Sequence, residues 1–194
     1  MKLKRLFSSS FAKGTENYLN TQKKYEILRT ILYFSVSASL FIAGYLQTKT
    51  KVNLLTVVAV LGCLPASKSA VNAIMFLRFQ SCSYACASEI KNHCGSLKGL
   101  FDCVFTSYKN NDCVSHLAVR DNTVCGFTEN DKFEDNEFYK HIQDILKMEG
   151  HKEVTVKIFH NLTKYTERLE QMNALEEDEA KTQAIIETLK SVML

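Results

Sequence analysis

The chain has 194 residues, of which 46% are hydrophobic, and it carries a formal net charge of +3. A chain of this length usually forms one or two domains. The mean hydropathy of −0.11 looks ordinary only because it averages an uncharged apolar region near the N-terminus with a polar remainder. The remainder comprises about 115 residues, enough for a soluble domain with a modest core.

Residues 1–29 form a basic segment with seven Lys or Arg residues and only two acidic ones. From Thr15 onward we predict an amphipathic helix, with Tyr18, Tyr25 and Leu28 on one side, lying on a membrane surface. Such a segment favours contact with anionic lipid, and each basic charge near the surface contributes about 1 kcal/mol. Because membrane anchoring already accounts for these charges, we expect no nucleic-acid partner.

Two apolar runs, 31–46 and 52–66, contain no charged side chain and are separated by five polar residues. As helices they are about 23–24 Å long, slightly shorter than a hydrocarbon core of about 30 Å. Both runs are apolar on all sides, whereas a surface helix of a soluble protein is apolar along one stripe. We therefore predict a transmembrane helical hairpin and stalk at 30–79. A buried core hairpin in a soluble α-helical protein is the alternative.

The distribution of Lys and Arg gives the orientation, because cytoplasmic flanks of membrane spans carry an excess of these residues. Basic residues precede the first run and follow the second, whereas the hairpin loop contains Lys49 and Lys51. We expect an integral membrane protein with both termini in the cytoplasm. The residues predicted at the membrane interface are Lys23, Lys24, Arg29 and Lys68. In the alternative, the second span continues into the apolar stalk 71–79 and Lys68 lies inside the membrane.

Residues 80–160 are predicted to form a cytoplasmic α+β domain, and 161–194 a C-terminal helical region. The expected helices lie at 81–93 and from Asp135 or Asn136 to Lys147, and the expected strands at 100–107, 113–120, 123–128 and 153–159. The order α-β-β-β-α-β-α implies a four-stranded sheet. In the first strand Phe101, Cys103 and Phe105 alternate with Asp102 and Val104, which predicts that Asp102 is exposed.

Six of the seven cysteines follow the apolar runs, and cytoplasmic thiols stay reduced, so we expect no structural disulfide. Cys82, Cys86, His93 and Cys94 offer four possible metal ligands within 13 residues. However, apolar positions and cysteines recur here every three or four residues, which is typical of one buried helix face. We favour core packing over a metal site, and we expect no metal and no cofactor.

The sequence contains no P-loop, dinucleotide-binding, nucleophile-elbow or HExxH motif. The α-β-β-β-α-β order is also used by restriction-endonuclease-like nucleases, whose active site holds Mg²⁺ with two acidic groups and a lysine. The candidates here are Asp102, Asp121, Glu129 and Lys132, but the strand pattern (D/E)-x-K is missing. We therefore expect no catalysis.

These features favour a membrane-anchored homo-oligomeric scaffold or assembly protein with a cytoplasmic interaction domain. The apolar stripes of the C-terminal region are predicted to pair either with the sheet or between subunits. The predicted subunit contacts are Leu169, Met172, Ile185 and Leu189. One alternative is a membrane-tethered effector whose domain binds a nucleotide or cleaves nucleic acid. Another is a small channel or transporter subunit.

Overall fold

The computed structural model describes residues 13–50, 53–107, 110–151, 153–175 and 178–194. It divides into two compact units, one comprising residues 19–80 and the other residues 13–18 and 81–194. The basic residues before position 13, and Lys51 in the hairpin loop, lie outside the described residues.

The first unit consists of two long helices, α1 at Tyr18–Thr48 and α2 at Leu54–Leu77. Both are long and apolar enough to cross a membrane, judged by length and composition. Asn53 caps α2 because its side chain accepts the N–H of Thr56. The helices are longer than the two apolar runs. In particular, Pro65 does not end α2, which continues to Leu77 and includes most of the predicted stalk.

The two helices of this unit pack through small side chains in a regular antiparallel register. Three levels of contact recur every seven residues along each helix: Thr30 with Ser69, Ser37 with Gly62, and Gly44 with Leu55. The hydroxyls of Thr30 and Ser69 are 3.0 Å apart. A Cβ added at Gly62 would lie 2.7 Å from the Ser37 Oγ, so glycine permits the close approach. A repeat of seven residues keeps one seam of each helix facing the other.

Gly62→Leu is expected to separate the helices, because its side chain has no space beside Ser37. Pairing is measured in membranes as the rate of disulfide formation between cysteines introduced at positions 30 and 69, with Cys63 replaced by serine. We expect cross-linking to slow about tenfold in Gly62→Leu. Leu61→Ala, on the exposed face of α2, serves as the control and should not change the rate. An unchanged rate in Gly62→Leu would contradict this register.

The second unit has four helices and four strands. The helices are α3 at Tyr84–Cys94, α4 at Asp135–Met148, α5 at Leu162–Asn173 and α6 at Glu179–Val192. The strands are β1 at Lys98–Thr106, β2 at Asn111–Arg120, β3 at Thr123–Phe127 and β4 at Thr155–Phe159. The predicted four-stranded sheet is confirmed, and the C-terminal helical region consists of two helices.

The strands follow the order β1-β2-β3-β4 in a mixed sheet. The first three form an antiparallel meander, and β4 runs parallel to β3 after the crossover through α4. One core, containing Leu117, Phe138 and Leu189, lies on the side of α4 and α6. The other core, containing Ile90, Phe127 and Tyr165, lies on the side of α3 and α5. The sheet is therefore covered on both faces.

The side chains of β1 do not alternate between the two faces of the sheet as predicted. Phe101 packs on the α3 and α5 side, whereas Cys103 and Phe105 pack on the opposite side. The shift occurs at Asp102, whose φ of 53° lies in the left-handed region that few residues other than glycine adopt. Asp102 was expected to be exposed, but it is only 1% exposed. Its carboxylate is drawn inward to accept a backbone N–H from the segment before α3.

Candidate functional site

A cluster of polar side chains in the second unit lies where α3 begins. The Asp102 carboxylate accepts the N–H of Cys82 at 2.8 Å, and the Glu129 carboxylate accepts the N–H of Ser83 at 2.9 Å. Ser83 is the N-cap of α3 and accepts the N–H of Cys86. Carboxylates are stabilised at a helix N-terminus, where backbone N–H groups lack partners within the helix. Two acidic side chains, one on strand β1 and one in the segment after β3, thus bind the same helix end.

The thiols of this cluster are held in the protonated state. Burial, followed by the negative charge of Glu129, raises the pKa of Cys82 far above its ordinary value. Burial also raises the pKa of Cys86. Partial burial alone would raise the pKa of Glu129, but hydrogen bonds involving Ser83, Cys86 and Ser115 outweigh it and lower that pKa. A nucleophilic cysteine needs the opposite shift, toward the thiolate. The arrangement therefore fastens α3 to the sheet and does not activate a thiol.

A second polar group lies inside the core between the sheet and α5. The Nδ1 of His116 shares a hydrogen bond of 2.6 Å with the Tyr165 hydroxyl, and its Nε2 lies 3.9 Å from the Cys94 Sγ. Burial lowers the pKa of His116 to about 3, so the imidazole is neutral. A Cβ at Gly99 would lie 2.3 Å from the His116 Nε2. Glycine at this position of β1 therefore makes room for the ring.

The four residues considered for a nuclease site are only partly brought together. Asp102 and Glu129 bind adjacent N–H groups at the start of α3. Asp121 lies in the turn between β2 and β3, where its carboxylate accepts the N–H of Asp178 at 2.7 Å. Lys132 is exposed in the loop before α4. Within the part of the chain that the structure describes, no group of three or more His, Cys, Asp or Glu side chains is placed to hold a metal ion.

The four predicted subunit contacts lie in the core of the second unit. Leu169 and Met172 of α5 are fully buried on the α3 side of the sheet. Ile185 and Leu189 of α6 are buried on the opposite side, with at most 1% exposure. Each apolar stripe thus covers one face of the chain's own sheet. This packing leaves these four side chains without the exposed surface that a contact with another subunit needs.

The predicted membrane-interface residues lie on the two long helices. Arg29 forms an ion pair of 3.0 Å with Glu26 one turn earlier on α1. Lys24 and Lys68 are exposed, and Lys23 is half-buried. The pairing of Thr30 with Ser69 brings Lys68 level with the start of the apolar part of α1, next to the level of Arg29. Lys68 and Arg29 therefore lie at nearly the same height of the hairpin, and Lys23 and Lys24 lie between one and two turns before Arg29 on α1.

Sequence reasoning missed one basic surface. Lys157 on β4 and Lys164 and Arg168 on α5 line the same groove at the edge of the sheet. No motif links a strand residue to two helix residues, so only their meeting in space reveals the groove.

Comparison with protein-family models, with curated protein sequences and with solved structures finds no match for this chain. Any function must therefore be argued from these geometries alone.

The buried His116 predicts a specific loss of stability in acid. Its pKa is lowered from 6.5 to about 3 on folding, so the unfolded chain binds a proton that the folded chain excludes throughout this interval. The free energy of unfolding therefore carries no penalty from His116 above pH 6.5, and the penalty grows as the pH falls toward 3. We expect a slope on the order of 1 kcal/mol per pH unit between pH 6 and 5.

The measurement is chemical unfolding of the detergent-solubilised chain at several pH values between 7 and 5. His116→Phe should lower the stability at pH 7 and remove part of the decrease in acid. His160→Gln, which replaces an exposed histidine, should retain the decrease that depends on His116. An identical pH dependence in His116→Phe and the wild type would contradict the assignment of a neutral buried imidazole.

Proposed function

We propose that this chain is an integral membrane scaffold: an apolar helical hairpin anchors it, and the α+β unit serves as an interaction domain. The observation that carries the proposal is the distribution of side chains on the hairpin. In the described parts of the two apolar runs, the buried residues are all small, namely Ser37, Gly44, Ala59 and Ala66, whereas Phe34, Leu46 and Leu64 are exposed. A water-soluble protein buries its large apolar side chains instead. Helices that pair in lipid use small residues at their interface.

The register of the hairpin supports an interfacial position for Lys68. This residue is level with the start of the apolar part of α1, where Arg29 and Thr30 lie. A lysine at this height extends its ammonium group to the headgroup region without a charge in the hydrocarbon. The membrane span of α2 then runs from Leu54 to about Ala66, and the last three turns of the helix, which ends at Leu77, extend beyond the interface.

The proposed orientation places the connection between α1 and α2 outside the cell and the α+β unit in the cytoplasm. It follows from the excess of Lys and Arg before the first apolar run, compared with the two lysines of the hairpin loop. Single cysteines at position 49 and position 110, in a background without native cysteines, are treated in intact cells with a membrane-impermeant thiol reagent. We expect labelling at 49 and protection at 110, with labelling of both after the cells are permeabilised. The reverse pattern would overturn the orientation.

Self-association is the second part of the proposal. Beyond Lys68, the end of α2 exposes Val71, Ile74 and Leu77, each by more than half of its surface. Their spacing of three residues places them along one side of the helix. An apolar stripe outside the hydrocarbon is stabilised by contact with another apolar surface, and homo-oligomers with cyclic symmetry provide that contact between copies. This stripe, and not the buried residues of α5 and α6, is the proposed subunit contact.

Charged substitutions in this stripe test self-association. Ile74→Glu combined with Leu77→Glu should reduce the mass of the detergent-solubilised particle, because two carboxylates per copy would be placed in the contact. Met148→Glu, a change at an exposed residue of α4, is the control and should leave the mass unchanged. A wild-type particle that contains a single chain would refute the scaffold, and an unchanged mass in the double variant would refute this contact.

The tethered nuclease and the channel subunit have less support. The two carboxylates that approach each other, Asp102 and Glu129, are both bound to N–H groups at the start of α3. Holding Mg²⁺ would require releasing those hydrogen bonds and exposing the helix end. In the hairpin, the polar residues Thr30 and Ser69 bond each other across the two helices. They are therefore directed toward the partner helix and not toward a pore.

A further inference from the structure

A groove of about 430 Å³ lies beside the parallel strands β3 and β4, where α5 crosses that face of the sheet. Residues at alternate positions of the two strands meet there, with Thr123 beside Thr155 and Cys125 beside Lys157. The side chains that the following argument uses are Thr155, Lys157, Phe159, Lys164 and Arg168. The volume falls within the range of small-molecule sites, about 300–1,000 Å³.

The positive charges of the groove outnumber its negative ones. Lys157, Lys164 and Arg168 face one carboxylate, Glu167. Among the described residues, neither Lys157 nor Lys164 has a carboxylate within ion-pair distance. Several other lysines of this unit do have such a partner: Lys91 with Glu16, Lys98 with Glu179, and Lys181 with Asp178. The groove therefore concentrates cations that intramolecular ion pairs do not neutralise.

Arg168 is held in position at the half-buried side of the groove. Its Nη1 donates to the Gln171 Oε1 at 3.1 Å. Burial raises the pKa of the Cys125 thiol, which also lines the groove, and the Arg168 guanidinium opposes that rise. A guanidinium carries five N–H donors in a fixed plane, so these contacts leave donors that can bind an anion. A positioned arginine with two nearby lysines is the combination that proteins use to bind phosphate groups.

The groove also contains an aromatic surface. Phe159 is half-buried and packs against Tyr165, with 5.8 Å between the ring centroids. The Lys157 Nζ lies 5.0 Å from the Phe159 ring centroid. This contact holds a cation beside an apolar ring, so a ligand with an anionic group and an apolar part can contact both. An inorganic anion would use the charges alone.

We propose that this groove binds a small organic phosphate, with the phosphate group on Lys157, Lys164 and Arg168 and the organic part against Phe159. The Thr155 side chain, at the exposed edge of the groove, provides a hydroxyl donor for the same group. Two sources share this chemistry: a soluble nucleotide and the headgroup of an anionic phospholipid. The proposal goes beyond the scaffold function and does not depend on self-association, so each can fail without the other.

The test uses the full chain in a neutral detergent and isothermal titration calorimetry with ADP. Lys164→Gln combined with Arg168→Gln should weaken binding about tenfold or more, because two charged donors to the phosphate are lost. Lys132→Gln combined with Lys140→Gln removes the same charge from exposed positions in and before α4. This control should bind within about twofold of the wild type. Thermal unfolding of both variants shows whether the fold is retained.

A second titration distinguishes the two sources. Dihexanoyl phosphatidic acid replaces ADP, and dihexanoyl phosphatidylcholine shows the effect of the acyl chains alone. If ADP binds the wild-type chain and not the Lys164 and Arg168 double variant, the ligand is a soluble phosphate. Binding of phosphatidic acid without ADP, lost in the same variant, supports a lipid headgroup. Absence of binding by both probes, or equal weakening in the two double variants, would overturn the proposal.

Discussion

The hydrogen bonds from the start of α3 to Asp102 and Glu129 determine how one face of the sheet is built. They fix the start of the helix to β1 and to the segment after β3, and Ile90 of the helix is buried in the core on this side of the sheet. Asp102 reaches the helix only through its left-handed backbone conformation, which reverses the side-chain alternation along β1. Satisfying two N–H groups at a helix end with charged acceptors offsets this unfavourable conformation. The local backbone and the tertiary contact therefore stabilise each other.

The two units bury different kinds of side chain. In the hairpin, hydroxyls and glycines meet between the helices while large apolar side chains face outward. In the α+β unit, the large apolar side chains of both helix pairs lie against the sheet. The close approach of small residues and the Thr30–Ser69 hydrogen bond hold the two helices of the hairpin together. Burial of apolar area stabilises the second unit.

Composition and periodicity were sufficient to predict the two apolar helices, the order of helices and strands along the chain and a four-stranded sheet, because these depend on local pattern. They were insufficient where tertiary contacts decide. The inward position of Asp102 depends on α3, which no strand pattern contains. The stripes of α5 and α6 were correctly placed on helices, yet whether they face a sheet or another subunit depends on the two sheet faces that they cover. A pattern specifies an apolar face but not its partner.

The basic groove illustrates the same limit for a binding site. Lys157 lies on the polar face of β4, and Lys164 and Arg168 lie on the polar face of α5. In the sequence, each therefore looks like an ordinary solvent-exposed charge. The parallel pairing of β4 with β3 and the packing of α5 on the same face bring the three together. Concentrating like charges is unfavourable unless an anion or solvent screens them. Among the groove residues that the structure describes, the one carboxylate is that of Glu167, which α5 itself supplies. An anionic ligand relieves that repulsion, which gives the groove a physical reason to be occupied.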